Sequence, residues 1–174
     1  MPLRQATNEF DTIRLRWIAC FAFISLGLPD AVLAVAWPSV SVAVQQPLHH
    51  LGWLVSCGFL GYLAATIAAS WMVKRLGLAG LLILSSTGMT FVLISLPFAS
   101  YWYLWLLLAS IGGLCGGSID AAINAFAATR FSPRWLNWMH ACWGIGASAG
   151  PLAMTFLLAN EVSWRVGYGL LASL

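Results

Sequence analysis

Residues 112–124 read GGLCGGSIDAAIN, inside an apolar run that starts near Tyr101 and ends at Arg130. That run is too long and too hydrophobic for a soluble surface helix, so it is predicted to be a transmembrane helix with an acid and an amide buried in it. Asp120 and Asn124 are four residues apart and stand one above the other on a single helix face. An unpaired carboxylate at bilayer depth costs at least ~3 kcal/mol on insertion scales. A polar packing contact between helices would be served as well by an amide, so the acid points to a cavity, a proton or a substrate. Gly112 with Gly116, and Gly113 with Gly117, precede the acid by about one turn and offer smooth strips for close helix packing.

Composition agrees with this reading. Of 174 residues 61% are hydrophobic and only 7% charged, against about 25% charged in soluble domains. The ten tryptophans and four tyrosines suit interfacial aromatic belts. The absence of any long polar segment predicts one transmembrane domain over residues 1–174, with no soluble domain attached. Cys20, Cys57, Cys115 and Cys142 all fall in apolar runs without a CxxC pair, and read as small buried hydrophobes rather than as disulfides or metal ligands. Arg14 and Arg16 before an apolar run, with Ala34-Val35-Ala36 further on, resemble a signal peptide. Pro29-Asp30 interrupts the run, however, and it continues past Trp37 to Val44, which favours an uncleaved first helix.

Outward from the opening stretch, the spans are expected at about 17–44, 51–73, 78–97, 103–129 and 135–158, with a partial sixth at 164–174. A crossing needs ~20 residues, so the sixth is cut short by the chain end. The first span is longer than a ~30 Å core requires, and Gly27, Pro29 and Pro38 can bend it. The third is almost wholly aliphatic and is expected to face lipid. With the N-terminus in the cytoplasm, seven of the eight basic residues (Arg4, Arg14, Arg16, Lys74, Arg75, Arg130 and Arg134) fall inside and only Arg165 outside. That is the positive-inside pattern of a multi-pass protein of the cell (inner or plasma) membrane.

Only the first and fourth spans carry acids at depth. Asp30 lies 14 residues from Arg16 and Asp120 lies 10 from Arg130, or ~21 Å and ~15 Å of helix, which puts both near the midplane. Acids so placed serve proton relays or substrate sites. Asn137, His140 and Gly144 share one face of the fifth span. His140 serves either proton sensing and substrate binding or an interfacial bond to a headgroup or carbonyl. Trp37, Trp53 and Trp143 either stack on a sugar ring or anchor the interface. No metal-ligand spacing, nucleotide-binding glycine loop or nucleophile motif is present, so neither a cofactor beyond a proton gradient nor a nucleic acid is expected.

These residues resemble a family. GLPD at 27–30, DAAIN at 120–124 and NWMHACWGIGASAGP at 137–151 are similar to the N-terminal half of a major facilitator superfamily transporter, most of all the fucose-permease-like sugar:proton symporters. The resemblance covers nearly the whole chain. It implies an all-α polytopic helical bundle, the N-terminal six-helix half with its sixth helix truncated. It also implies proton coupling or substrate binding by Asp30, Asp120 and Asn124, and a missing C-terminal half as partner beside lipid, solute and protons. In the stretch SWMVKRLGLA at 70–79, Arg75 and Gly77 fit the family's loop between helices two and three, while Ser70 and Lys74 depart from it. Gly146, Gly150 and Pro151 also match part of a drug:proton antiporter motif, so the direction of transport stays open. Three functions compete: a proton-coupled sugar or small-solute carrier, with drug or metabolite efflux as its alternative; an intramembrane enzyme built on two aspartates, which lacks its expected flanking motifs; and a non-transporting membrane fragment or assembly partner.

Overall fold

The computed structural model describes residues 2–173, and the side chains of residues 13–173. Arg4, Glu9 and Asp11 therefore lie outside the described side chains. Six α-helices follow one another: α1 (Pro2–Gly27), α2 (Val32–Ala43), α3 (Leu51–Ser95), α4 (Trp102–Arg130), α5 (Pro133–Ala159) and α6 (Trp164–Ala172). No strand occurs among the described residues. Four helical runs are long and apolar enough to cross a membrane: Ile13–Ala43, Leu48–Phe98, Trp102–Arg130 and Pro133–Ala159. The protein is thus an all-α membrane bundle, helix being a fold in which a spanning backbone can satisfy its own hydrogen bonds.

The first expected span is two helices. The chain leaves helical geometry over 28–31, immediately after Gly27 and at Pro29, and α2 starts at Val32 without a side-chain cap. Proline has no amide hydrogen and disfavours helix in the residue before it, so GLPD stops α1 where a uniform apolar run would not. Pro38, by contrast, lies inside α2.

The second and third expected spans are the two limbs of α3, joined at Gly77, whose φ of 70° and ψ of 164° only glycine tolerates well. Their directions follow from what they touch. On the first limb Gly58 meets Gly113 and Tyr62 meets Gly117, so this limb runs parallel to α4. On the second limb Gly88 meets Cys115 and, further along, Val92 faces Gly112, so it runs antiparallel. The chain therefore reverses at Gly77. The second limb is not simply a lipid-facing helix: Leu81, Ser85, Val92 and Leu93 are buried, while Ile83, Leu84, Phe91 and Ile94 are exposed. Aliphatic composition hid this division because membrane-facing and bundle-facing side chains are equally apolar.

Glycine places the helix axes. A Cβ at Gly113 would collide with the Gly58 carbonyl oxygen, and one at Gly117 would lie 2.6 Å from the Tyr62 carbonyl oxygen. The neighbouring strip, Gly112 and Gly116, faces the side chains of Val92 and Met89 instead. Gly146 and Gly150 do for α5 what Gly113 does for α4, packing on the carbonyls of Ile24 and Leu28 in a parallel pair with α1. Buried indoles complete the core at the end opposite Gly77. Trp105 donates to the Ala99 carbonyl at 3.0 Å and Trp37 to the Leu48 carbonyl at 2.7 Å, so neither N–H is left unpaired.

Candidate functional site

The glycine contacts of α4 set up the site. Close approach at Gly117 brings the backbone of Tyr62 against α4, and the Tyr62 side chain then reaches Asp120, one turn further on. Its hydroxyl donates to Asp120 Oδ2 at 2.6 Å. From the other side Asn124 Nδ2 donates to Asp120 Oδ1 at 2.9 Å. Both oxygens of the carboxylate thus accept hydrogen bonds from neutral donors, which replace part of the water lost by an ion in a bilayer. Interhelical hydrogen bonds of this kind are worth only about 0.6 kcal/mol on average in measured membrane proteins. The Tyr62–Asp120 contact is therefore a small contribution to stability.

Asp120 and Tyr62 line a cavity of about 720 Å³. Asp30, in the break between α1 and α2, also lines it, as do His140 and Trp143 of α5, Trp105 of α4 and Tyr168 of α6. Among the described residues no arginine or lysine lines this cavity. Four arginines sit against aromatic rings elsewhere, with Arg16 over Trp135 at 4.7 Å, Arg75 over Trp71 at 5.6 Å, Arg130 over Phe126 at 5.3 Å and Arg165 over Trp164 at 4.5 Å. A chamber with two acids, a histidine and aromatic walls but no cation is suited to protons, cations or neutral polar solutes. It disfavours anions, which would meet uncompensated carboxylates on entry.

The structure brings together some of the residues singled out above and separates others. Asp30, Asp120, His140 and Trp143 share the cavity, and Asn124 joins it through Asp120. The His140 ring meets Phe23 edge-on at 5.5 Å. Asn137 is exposed and is not part of the cavity wall. Trp37 is 2% exposed, packed beside Trp102 with its N–H held by Leu48, and does not face the cavity. Trp53 is exposed and also stands apart from it. Gly146, Gly150 and Pro151 belong to the α1–α5 side of α5, and Arg75 and Gly77 to the reversal in α3. Among the described residues no cluster of three histidine, cysteine or acidic side chains is arranged to hold a metal ion.

Sequence reasoning missed Tyr62. The signal was its depth: it lies 12 residues from Lys74, or ~18 Å of helix, where an interfacial tyrosine has no reason to be.

The structure is a polytopic helical bundle in which Asp30 and Asp120 line one cavity, and no arginine or lysine lines it among the described residues. The chain belongs to the Major Facilitator Superfamily, whose sequence profile matches residues 19–174. A tetracycline resistance protein, class B, of Escherichia coli is 31% identical over 128 residues, covering 70% of this chain and 31% of that protein. A sodium-dependent glucose transporter 1 of Homo sapiens is 23% identical over 147 residues, covering 83% of this chain and 28% of that protein. The chain thus spans less than a third of the length of these curated relatives. No solved structure gives a significant match.

Proposed function

We propose that the chain is the N-terminal half of a proton-coupled symporter for a sugar or similar small neutral solute, nearest in kind to the fucose-permease-like branch. It acts in the cell membrane, with a second helical half closing the chamber. The observation that carries this reading is Asp120, held on both oxygens by neutral donors and lining one cavity with Asp30, with no arginine or lysine on it among the described residues. A carboxylate so placed can be neutralised only by a proton or by a bound cationic group. Protonation lets the acid be buried in arrangements that the anion would not tolerate, and this ties proton loading to one arrangement of the two halves. The second half, the lipid bilayer, the solute and the protons are its partners. No cofactor is needed beyond the proton gradient.

Drug or metabolite efflux coupled to protons is the second reading. It is favoured by the resemblance to the tetracycline resistance protein and by Gly146, Gly150 and Pro151. Liposomes carrying the whole transporter distinguish the two. Under symport, labelled monosaccharides accumulate with an inward proton gradient, and a protonophore abolishes the accumulation. Under efflux, tetracycline leaves against its gradient while monosaccharides do not move. Monosaccharide accumulation that survives the protonophore would overturn proton coupling.

The same reading fixes orientation: five spans and a partial sixth in one transmembrane domain, N-terminus in the cytoplasm, with Lys74–Arg75 and Arg130–Arg134 on the cytoplasmic face. Cysteines introduced at Lys74 and Glu161 are expected to react with an impermeant thiol reagent from opposite sides of the membrane. Reaction of both from outside would refute this topology.

A further inference from the structure

The two hydrogen bonds on Asp120 are not equivalent, and their difference decides where a proton goes. Asn124 Nδ2 donates to Oδ1 at 2.9 Å, and accepting a proton from Oδ1 would require the whole Asn124 amide to turn over. Oδ2 faces the Tyr62 hydroxyl at 2.6 Å. A phenolic hydroxyl is both donor and acceptor. When a proton binds Oδ2, two donors would face one another at that distance unless the tyrosine hydrogen rotates about its C–O bond. Rotation reverses the hydrogen bond: Oδ2–H now donates to Tyr62 Oη. The phenolic hydrogen, no longer committed to the carboxylate, is free for the chamber that Tyr62 itself lines.

We infer that Tyr62 is a solute-contacting group switched by Asp120, offering its O–H to an acceptor oxygen of a neutral solute, whether hydroxyl, ether or carbonyl, only while Asp120 is protonated. This rests on the reading of Asp120 as the proton carrier. One proton arrives on Oδ2 and one hydroxyl turns; no bond between heavy atoms forms or breaks. Loss of the proton turns the hydroxyl back and removes the solute's donor, so proton and solute bind together and leave together. The other titratable groups facing the chamber are Asp30 from the α1–α2 break, His140 from α5 and Tyr168 from α6. Asp120 is the side chain hydrogen-bonded to the Tyr62 hydroxyl among the described residues.

Infrared difference spectroscopy of this chain in lipid nanodiscs, with ring-labelled tyrosine, tests the switch without needing the solute. Tyr62→Phe identifies the Tyr62 C–O stretch by its loss, and Asp120→Asn identifies the Asp120 carboxyl band in the same way. On acidification, the Asp120 carboxylic C=O band is expected to appear together with a shift of the Tyr62 stretch from the donor-only to the hydrogen-bond-accepting position. In Asp120→Asn, whose amide donates permanently, the Tyr62 stretch is expected at the accepting position at every pH. An Asp120 band that appears while Tyr62 stays donor-only overturns the switch and leaves the proton-carrier reading standing. An Asp120 band that never appears while the protein stays folded overturns both.

Discussion

A whole transporter carrying Asp120→Asn is expected to equilibrate its solute across the membrane without accumulating it. Asparagine has the size of aspartate, can still accept from Asn124 and can donate to Tyr62, so the packing around Gly117 is unchanged and the protein folds. What it lacks is a group that changes charge. With no proton to load, the arrangements of the two halves interconvert independently of the gradient. Uphill transport is then expected to fall to the level set by passive exchange, while solute-for-solute exchange persists. Uptake with and without an imposed proton gradient, beside counterflow of preloaded solute, measures the two quantities separately. Uphill accumulation with unchanged pH dependence in the variant would make Asp120 a structural residue and remove the basis for the proposed function. Asn124→Ala leaves the titrating group in place but frees Oδ1, and its larger effect is expected on solute affinity.

Gly113→Val is expected to have the largest effect on stability. The Cβ would occupy the position of the Gly58 carbonyl oxygen. Both partners there are backbone, so no side chain can turn aside, and α3 and α4 must separate. Overpacking a tight core costs about 1–3 kcal/mol even where side chains can give way, and this backbone contact should reach or exceed the upper end. Separation also draws Tyr62 away from Asp120, so the variant loses the site along with the packing. Gly144→Ala is the control: a Cβ there meets nothing within 4 Å, and replacing a mid-helix glycine gains roughly 0.5–1 kcal/mol. Thermal unfolding of this chain in detergent should therefore move in opposite directions for the two variants. A Gly113→Val protein as stable as the parent would mean that the α3–α4 contact is not as close as described.

Much of this arrangement was legible in the sequence because membranes narrow the choices. Helix is the only way to satisfy the backbone of these apolar runs, a charge at depth must face inward, and i, i+4 spacing put Asp120 and Asn124 within reach of each other. The paired glycines announced close packing on α4. They did not say on which helix, because a glycine strip specifies separation and not partner. That is why Tyr62 escaped notice, since its role depends on α3 lying parallel to α4 in one particular register. Trp37 was weighed as a sugar platform on residue type alone. Only the fold turns its ring into the core and pairs its N–H with Leu48. Asn137 shares a helix face with His140, but the cavity lining reaches His140 and not Asn137, one turn away.

The reversal at Gly77 restricts how the bundle can move. One residue spans at most about 3.6 Å, so the limbs of α3 have almost no independent travel along the membrane normal. The first limb is seated on Gly113 and Gly117, and the second on Gly112 and Gly116 of the same helix. α4 is thus gripped on adjacent faces by two segments that are themselves tethered end to end. The three pack as one unit, and the Tyr62–Asp120 hydrogen bond lies within it. Outside that unit the chain leaves helical geometry within its first expected span, over 28–31, and Asp30 stands on this joint rather than on a continuous helix.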